Sequence, residues 1–246
     1  MSAIRNLPVS RKFFYAFGIV CSLCVVLGAY SFITFRTIAG KSVDVSDNAF
    51  PAVVALADMR GVINSVRRED LELLLCQTAA CSTGHRAKRQ IGLDSYQASV
   101  KTYEPTVSYP GERELYQKFS AAFVQYLDAS NSAGTLLAAG KASDALDLIA
   151  ADSTVASFNT ALAGITDDLN LNAKYGAESS KAASLASNHA TWINTGVTLH
   201  IVLLCILIGV ILTREIAPRL ARLKDDEQRD AGVDPSCVVA GQGGGF

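Results

Sequence analysis

Two uncharged apolar windows set what this chain can fold into. Residues 13–35 (FFYAFGIVCSLCVVLGAYSFITF) carry no charge over 23 positions, and residues 192–213 (WINTGVTLHIVLLCILIGVILT) carry none over 22. As helices rising 1.5 Å per residue, both are long enough to cross a hydrocarbon core of about 30 Å. Composition points the same way. The 246 residues are 50% hydrophobic and only 18% charged, below the charge content of an ordinary soluble domain.

The first window follows Arg5, Arg11 and Lys12, as a cleavable signal would. Its apolar run exceeds a signal core of about 7–15 residues, and no small-x-small cleavage site follows, so it reads as a retained transmembrane helix. These basic residues, with Arg214, Arg219, Arg222 and Lys224 after the second window, place both termini in the cytoplasm. Arg36 and Lys41 on the far side weaken that bias without reversing it. The expected organisation is a cytoplasmic N-terminus (1–12), a first span (13–35), a periplasmic region (36–191) and a second span (192–213). The chain is then a multi-pass protein of the cell inner membrane, with membrane lipid around its spans.

A net charge of −1 without a long basic run gives no electrostatic footprint for nucleic acid. There is no phosphate loop, nucleophile elbow or His-Glu-x-x-His motif, so neither an enzyme nor a cofactor is expected.

The six cysteines divide by compartment. Cys21, Cys24 and Cys205 lie inside the spans and read as small buried apolar residues, while Cys237 lies in the cytoplasmic tail. Cys76 and Cys81 share the oxidising space, where a disulfide is the favoured reading. A spacing of five is wrong for one face of a continuous helix, so that bond requires a helix to end between them. His85 nearby would make a three-ligand metal site at loose spacing, which is the weaker alternative; no metal is expected. The spacing excludes a covalent haem motif, which needs Cys-x-x-Cys-His.

Between the spans the pattern is helical throughout. Leu56, Met59, Ile63, Val66 and Leu73 recur at three- and four-residue steps, with Asp70 on the same face. Pro51 is expected to kink or restart this first helix, with Ser46 or Asp47 as its cap, and the helix to stop near Gln77. A second run, from about His85 to Glu104, carries Tyr96, Val100 and Tyr103 and closes at Pro105, with Gly84 as a break before it. A third begins near Glu112 with Leu115, Phe119, Ala122, Tyr126 and Leu137, its acidic start favourable to the helix dipole. Gly140 supplies a left-handed C-terminal turn in the link to a fourth helix with Phe158, Leu162, Ile165 and Leu169. That helix runs into the second span without a proline. The predicted fold is all-α: a membrane-anchored, antiparallel up-down-up-down four-helix bundle with two transmembrane helices.

This order resembles the N-terminal half of methyl-accepting chemotaxis receptors with a four-helix-bundle sensor domain. The resemblance covers residues 5–223. It rests on "RKFFYAFGIV" entering the first span, "NAFPAVVALADMRGVINSVRREDLELLL" as first sensor helix, and "FVQYL…AAGKASDALDLI" joining the third and fourth. "TREIAPRLARL" is similar to the start of a HAMP linker, with Pro218 and Leu220 where that linker's first helix shows proline and an apolar residue, so residues 214–224 are assigned to it. The resemblance implies a homodimer that binds a small-molecule ligand or a loaded periplasmic binding protein. It also implies a piston-like shift of the fourth helix and second span. In relatives that recognise amino acids, arginines on the first helix hold the ligand carboxylate near the dimer interface. Here Arg60, Asn64 and Arg67 share a face at helical spacing, with Arg68 adjacent, and a guanidinium fork suits a carboxylate. The competing reading is that these are solvated charges paired with Asp58, Glu69, Asp70 and Glu72. His200, inside the second span, reads as a neutral histidine hydrogen-bonded in the helix dimer, and Trp192 as an interfacial anchor.

After Thr213 only 33 residues remain, and 225–246 show no apolar period and are expected to be disordered. The chain therefore reads as a sensory receptor module of this type without an output domain of its own. A histidine kinase or cyclase origin fits the first 223 residues equally. The alternative function is a non-signalling truncated receptor acting as a dimerisation partner or ligand sequestrant.

Overall fold

The computed structural model describes residues 8–230, and every regular element in them is helical. Arg5, Cys237 and the rest of 231–246 lie outside the described residues. In chain order come α1 (Val9–Val43), a π-helical turn (Asp44–Ala49), α2 (Phe50–Leu75) and α3 (Ala79–Tyr103), which ends in a 3-10 turn (Glu104–Thr106). Next come α4 (Glu112–Ala138), the short α5 (Ala142–Ala150) and α6 (Asp152–Asp230). The chain divides into two compact units, residues 34–188 and residues 1–33 with 189–246.

The first unit is the antiparallel four-helix bundle, built from α2, α3, α4 and the N-terminal part of α6. Its core holds Leu56, Met59, Ile63 and Val66 of α2, Tyr96 and Tyr103 of α3, Phe119, Phe123 and Tyr126 of α4, and Phe158, Ala161 and Ile165 of α6. The three- and four-residue apolar periods therefore mark the buried faces, and each large side chain contributes about 1.5–3 kcal/mol by leaving water. Gly164 lets α6 approach α4 closely: a Cβ there would lie 2.7 Å from the Phe119 Cβ. α4 ends as predicted at Gly140, which has φ 76°. The Gly140 N–H bonds the Leu137 carbonyl and the Lys141 N–H the Leu136 carbonyl, the paired bonds of a Schellman motif.

Three local expectations are corrected. Pro51 does not restart a capped helix, and neither Ser46 nor Asp47 caps one; Ser46 Oγ instead donates to Asp47 Oδ1 at 2.7 Å. The chain stays helical and widens into the π turn, where the Phe50 N–H reaches the Val45 carbonyl five residues back. Proline lacks an N–H and its ring clashes with the carbonyl four residues earlier, and the wider turn absorbs both defects. α3 starts at Ala79 and not His85, because Thr78 caps it by accepting the Cys81 N–H; Gly84 therefore lies inside the helix. The α4–α6 link carries a short helix of its own after Gly140. α5 inserts Ala145 and Ile149 against Ala133, Leu74, Leu136 and Leu137, forming a second small core. Finally, α6 runs through Pro218 to Asp230, into the segment expected to be disordered. "KDDEQRD" contains neither glycine nor proline, so nothing local ends the helix there.

In the second unit, the most apolar window of each long helix is wholly unburied, and both helices are long and apolar enough to cross a membrane. Phe14, Phe17, Val25, Trp192, Leu199 and Ile206 all point outward. Ser31 Oγ donates to Asn194 Oδ1 at 3.1 Å, a polar contact between two otherwise apolar helix segments. Cys21, Cys24 and Cys205 are exposed rather than buried within the chain.

Candidate functional site

Three polar regions of the bundle can do more than fill space. The first is the predicted ligand face of α2. Its four residues lie on one turn-to-turn ridge but do not converge. Arg60 is exposed, and Asn64 turns back to donate to the Arg60 carbonyl at 2.7 Å. Arg67 lays its guanidinium over the Phe158 ring, 4.3 Å from the centroid, a cation–π contact. Arg68 donates to Ser65 Oγ at 3.1 Å and to Glu69 Oε1 at 3.5 Å. Arg68 therefore takes a carboxylate partner, Arg67 an aromatic one, and Arg60 projects into solvent. A shallow concavity of about 380 Å³ lies beside them between α2 and α3, lined by Ala57, Asp58, Gly61, Val62, Ser65, Ser95 and Ser99. None of the four predicted residues lines it.

The second region is the α2–α3 hairpin. α2 stops at Leu75, Cys76 is extended, and α3 begins at Ala79. The helix breaks where a Cys76–Cys81 bond requires it to, and the two cysteines form a disulfide with a Cα–Cα distance of 5.6 Å. His85 lies one turn beyond Cys81, and its Nδ1 is 2.7 Å from Glu69 Oε2. Glu69 is buried. The hydrogen bond from His85 holds its carboxyl below the ordinary glutamate value, against the upward push of burial and with help from Lys88 and Arg68.

The third region, absent from the sequence reading as a site, lies toward the α3–α4 loop. Tyr103, Glu112, Asp168 and Asn172 are all fully buried. The Tyr103 hydroxyl bridges Glu112 Oε1, at 3.2 Å, and Asp168 Oδ2. Asn172 Nδ2 donates to Glu112 Oε1 at 2.8 Å and to Asp168 Oδ1 at 3.1 Å. The other Glu112 oxygen accepts the backbone N–H groups of Ser108 and Tyr109 at 2.7 and 2.8 Å. Glu112 thus ties down the loop before its own helix, a role beyond the dipole contact expected of it. Burial, with the Glu112 charge adding to it against the hydrogen bonds from Tyr103 and Asn172, raises Asp168 to about 6. Asn172 Oδ1 is buried without a partner.

The same loop reaches the π turn. Asp44 accepts the Tyr109 hydroxyl at 3.1 Å and the Ser179 hydroxyl at 2.6 Å. Burial pushes its carboxyl up, but the bonds from Ser179, Tyr109 and Asn48, with the Lys41 charge, hold it below the ordinary value. Tyr109 also stacks flat on Tyr175 of α6, with centroids 4.4 Å apart and planes at 10°, and Asn48 donates to Ser108 Oγ at 2.9 Å. Asp44 therefore clasps the entering helix to the departing one, both of which also carry an apolar window. His200 is exposed in α6, facing outward from the chain.

Together these polar bonds tie α6 to α3 and α4, and through Asp44 to the π turn that precedes α2. No individual curated relative matches the chain. The profile of the four-helix-bundle sensory module for signal transduction matches residues 6–186, which includes the whole bundle and the first apolar window. With that match laid over an all-helical bundle flanked by two span-length helices, this chain belongs to the four-helix-bundle sensory modules of the methyl-accepting chemotaxis receptor family.

Proposed function

We propose that this protein is a transmembrane receptor module that senses an extracytoplasmic ligand and passes the signal inward through α6. The bundle lies in the periplasm, both termini lie in the cytoplasm, and two copies pair in the inner membrane. The observation that carries this reading is the unbroken run of α6 from Asp152 to Asp230. One element holds Asp168, Asn172 and Ser179 of the polar clasps and also the second apolar window. A shift of an ångström or two in packed helices reaches a distant point only along a stiff element, and the asparagine, tyrosine and carboxylate bonds give the bundle a way to set that element's position. Residues 214–224 act as the start of a HAMP-type linker.

The ligand is a small molecule, or a binding protein carrying one, and Arg60 with Arg67 gives the α2 face its anion preference. Arg67 can leave Phe158 when a carboxylate competes, because a charge-assisted fork on a carboxylate replaces a cation–π contact worth about 0.5–2 kcal/mol. The test joins residues 1–230 to the kinase-controlling half of a chemotaxis receptor and measures kinase output in membranes. A carboxylate that raises the melting temperature of the bundle should also change kinase activity, and Arg60→Ala with Arg67→Ala should weaken its binding at least tenfold. A ligand that stabilises the bundle without moving kinase output would overturn the signalling reading. Unchanged carboxylate titrations in the arginine variants would overturn the anion site alone.

A further inference from the structure

The α2–α3 hairpin holds more than a disulfide. One sulfur from each of Cys76 and Cys81 and one ring nitrogen of His85 lie within 4.8 Å of one another. Cys81 and His85 are four residues apart on α3, the spacing that puts two side chains on one helix face. Cys76 comes from the extended residue that ends α2, so three soft or borderline donors converge from two elements. A carboxylate completes the arrangement. Glu69 Oε2 lies 2.7 Å from His85 Nδ1, so one ring nitrogen is held by a carboxylate and the other is left to act as a ligand. Metal-binding histidines are held this way, with the non-ligating nitrogen donating to a carboxylate that sets ring orientation and tautomer. Glu69 is buried and Arg68 contacts its other oxygen, so the imidazole is anchored before any ion arrives.

We propose that Cys76, Cys81 and His85 form a redox-gated binding site for a thiophilic divalent cation of the zinc class, with Glu69 as positioning residue. In the oxidised protein the sulfurs are spent on each other. A dithiol reductant opens the site by exchange: its two sulfurs form a new disulfide, the Cys76–Cys81 bond breaks, and two electrons and two protons pass to the protein thiols. Metal binding then displaces those protons, because thiolates are the ligands. The backbone needs little rearrangement. A tetrahedral ion holds each thiolate at about 2.3 Å, and a Cα–Cα distance of 5.6 Å lets two cysteines reach one ion. Three protein ligands leave a fourth position for water or an added ligand. The hairpin would then exist in two closed forms, cystine or metal thiolate, and in an open dithiol form. The site stands on the geometry of the hairpin and not on the receptor reading, so either can fail without the other.

The test uses the full chain in detergent with Cys21, Cys24, Cys205 and Cys237 replaced by serine, leaving only the hairpin thiols. Oxidised protein and protein reduced anaerobically with a phosphine, then desalted, are titrated with Co²⁺ and separately with Zn²⁺. The reduced form should take up one ion per chain and show the thiolate-to-cobalt charge-transfer band, while the oxidised form shows neither. His85→Ala should weaken binding at least tenfold and Cys76→Ser more. Glu69→Gln should weaken it about 10- to 100-fold at unchanged stoichiometry. Circular dichroism follows the fold throughout. Equal uptake by oxidised and reduced protein, no charge-transfer band on reduction, unchanged affinity in His85→Ala, or loss of helicity on reduction would each overturn the proposal.

Discussion

Asp70 and Asp168 are both aspartates sunk in the core of one bundle, and their surroundings differ in sign. Asp70, on α2, receives Arg89 Nε at 2.5 Å and the Tyr126 hydroxyl at 2.7 Å. The same guanidinium reaches Ser130 and Asn131 of α4 at 3.1 and 2.9 Å. Asp168, on α6, shares its space with a second carboxylate, Glu112, and its side-chain partners are the Tyr103 hydroxyl and the Asn172 amide. A buried charge is tolerable when a cation and hydrogen bonds saturate it. A buried pair of carboxylates with neutral donors alone keeps one proton instead. The bundle thus has one rigid electrostatic pin, joining α2, α3 and α4, and one titratable joint at the helix that carries the second apolar window. The pin suits a scaffold, and the joint suits the movement proposed for α6.

Breaking the pin should have the largest effect. Arg89→Ala leaves the Asp70 charge buried with only a tyrosine for company, and should destabilise the bundle by about 3–5 kcal/mol in denaturant titrations; Asp70→Asn in the same chain should recover part of that loss. Next comes the joint. Tyr103→Phe removes the hydroxyl that separates Glu112 from Asp168 and should cost about 1–3 kcal/mol at neutral pH. The smallest change is the most diagnostic. Asp168→Asn keeps the shape and removes the charge, and should stabilise the bundle at pH 7, where the wild-type carboxyl is ionised against its raised pKa. The sign follows from linkage. The folded protein binds the Asp168 proton more tightly, at about 6 against an ordinary 3.8, so the stability from protonation is full below about 4 and lost as pH rises toward 6. Melting temperatures of wild type and Asp168→Asn should therefore meet near pH 4 and separate by pH 6 and above. A gap that stays constant across this range would show that Asp168 is not the titrating group.

The fold was largely legible because its information is periodic. Leu56, Met59, Ile63 and Val66 announce a buried face from spacing alone, and the two charge-free windows announce themselves by length. The polar joint was not legible. Asp167 and Asp168 are neighbours of the same chemical type, yet one is exposed and the other fully buried; only the phase of α6 against α3 and α4 tells them apart. Glu112 looked like a residue for the helix dipole because its real partners, Tyr103 and Asn172, lie nine and sixty residues away. Asp70 stood out as a break in an apolar stripe, but nothing local pointed to Arg89. On the arginine face, spacing puts Arg60 and Arg67 on one ridge, but it does not give the partner of a long flexible side chain, and Arg67 lies over Phe158.

The π turn has a consequence for tolerance to mutation. A turn closed between Val45 and Phe50 holds one residue more than an α-turn, so this stretch contains a spare position. Deleting a single residue upstream of Asn48 could restore ordinary winding while leaving Phe50–Leu75 in its place in the core. The same deletion leaves the phase of the preceding helix nearly unchanged, because the wider turn already absorbs one residue's worth of rotation, about 100°. A chain shortened at this point should keep both a stable bundle and the phase of its entering helix, which makes the length of the segment, and not only its composition, a variable that selection can act on.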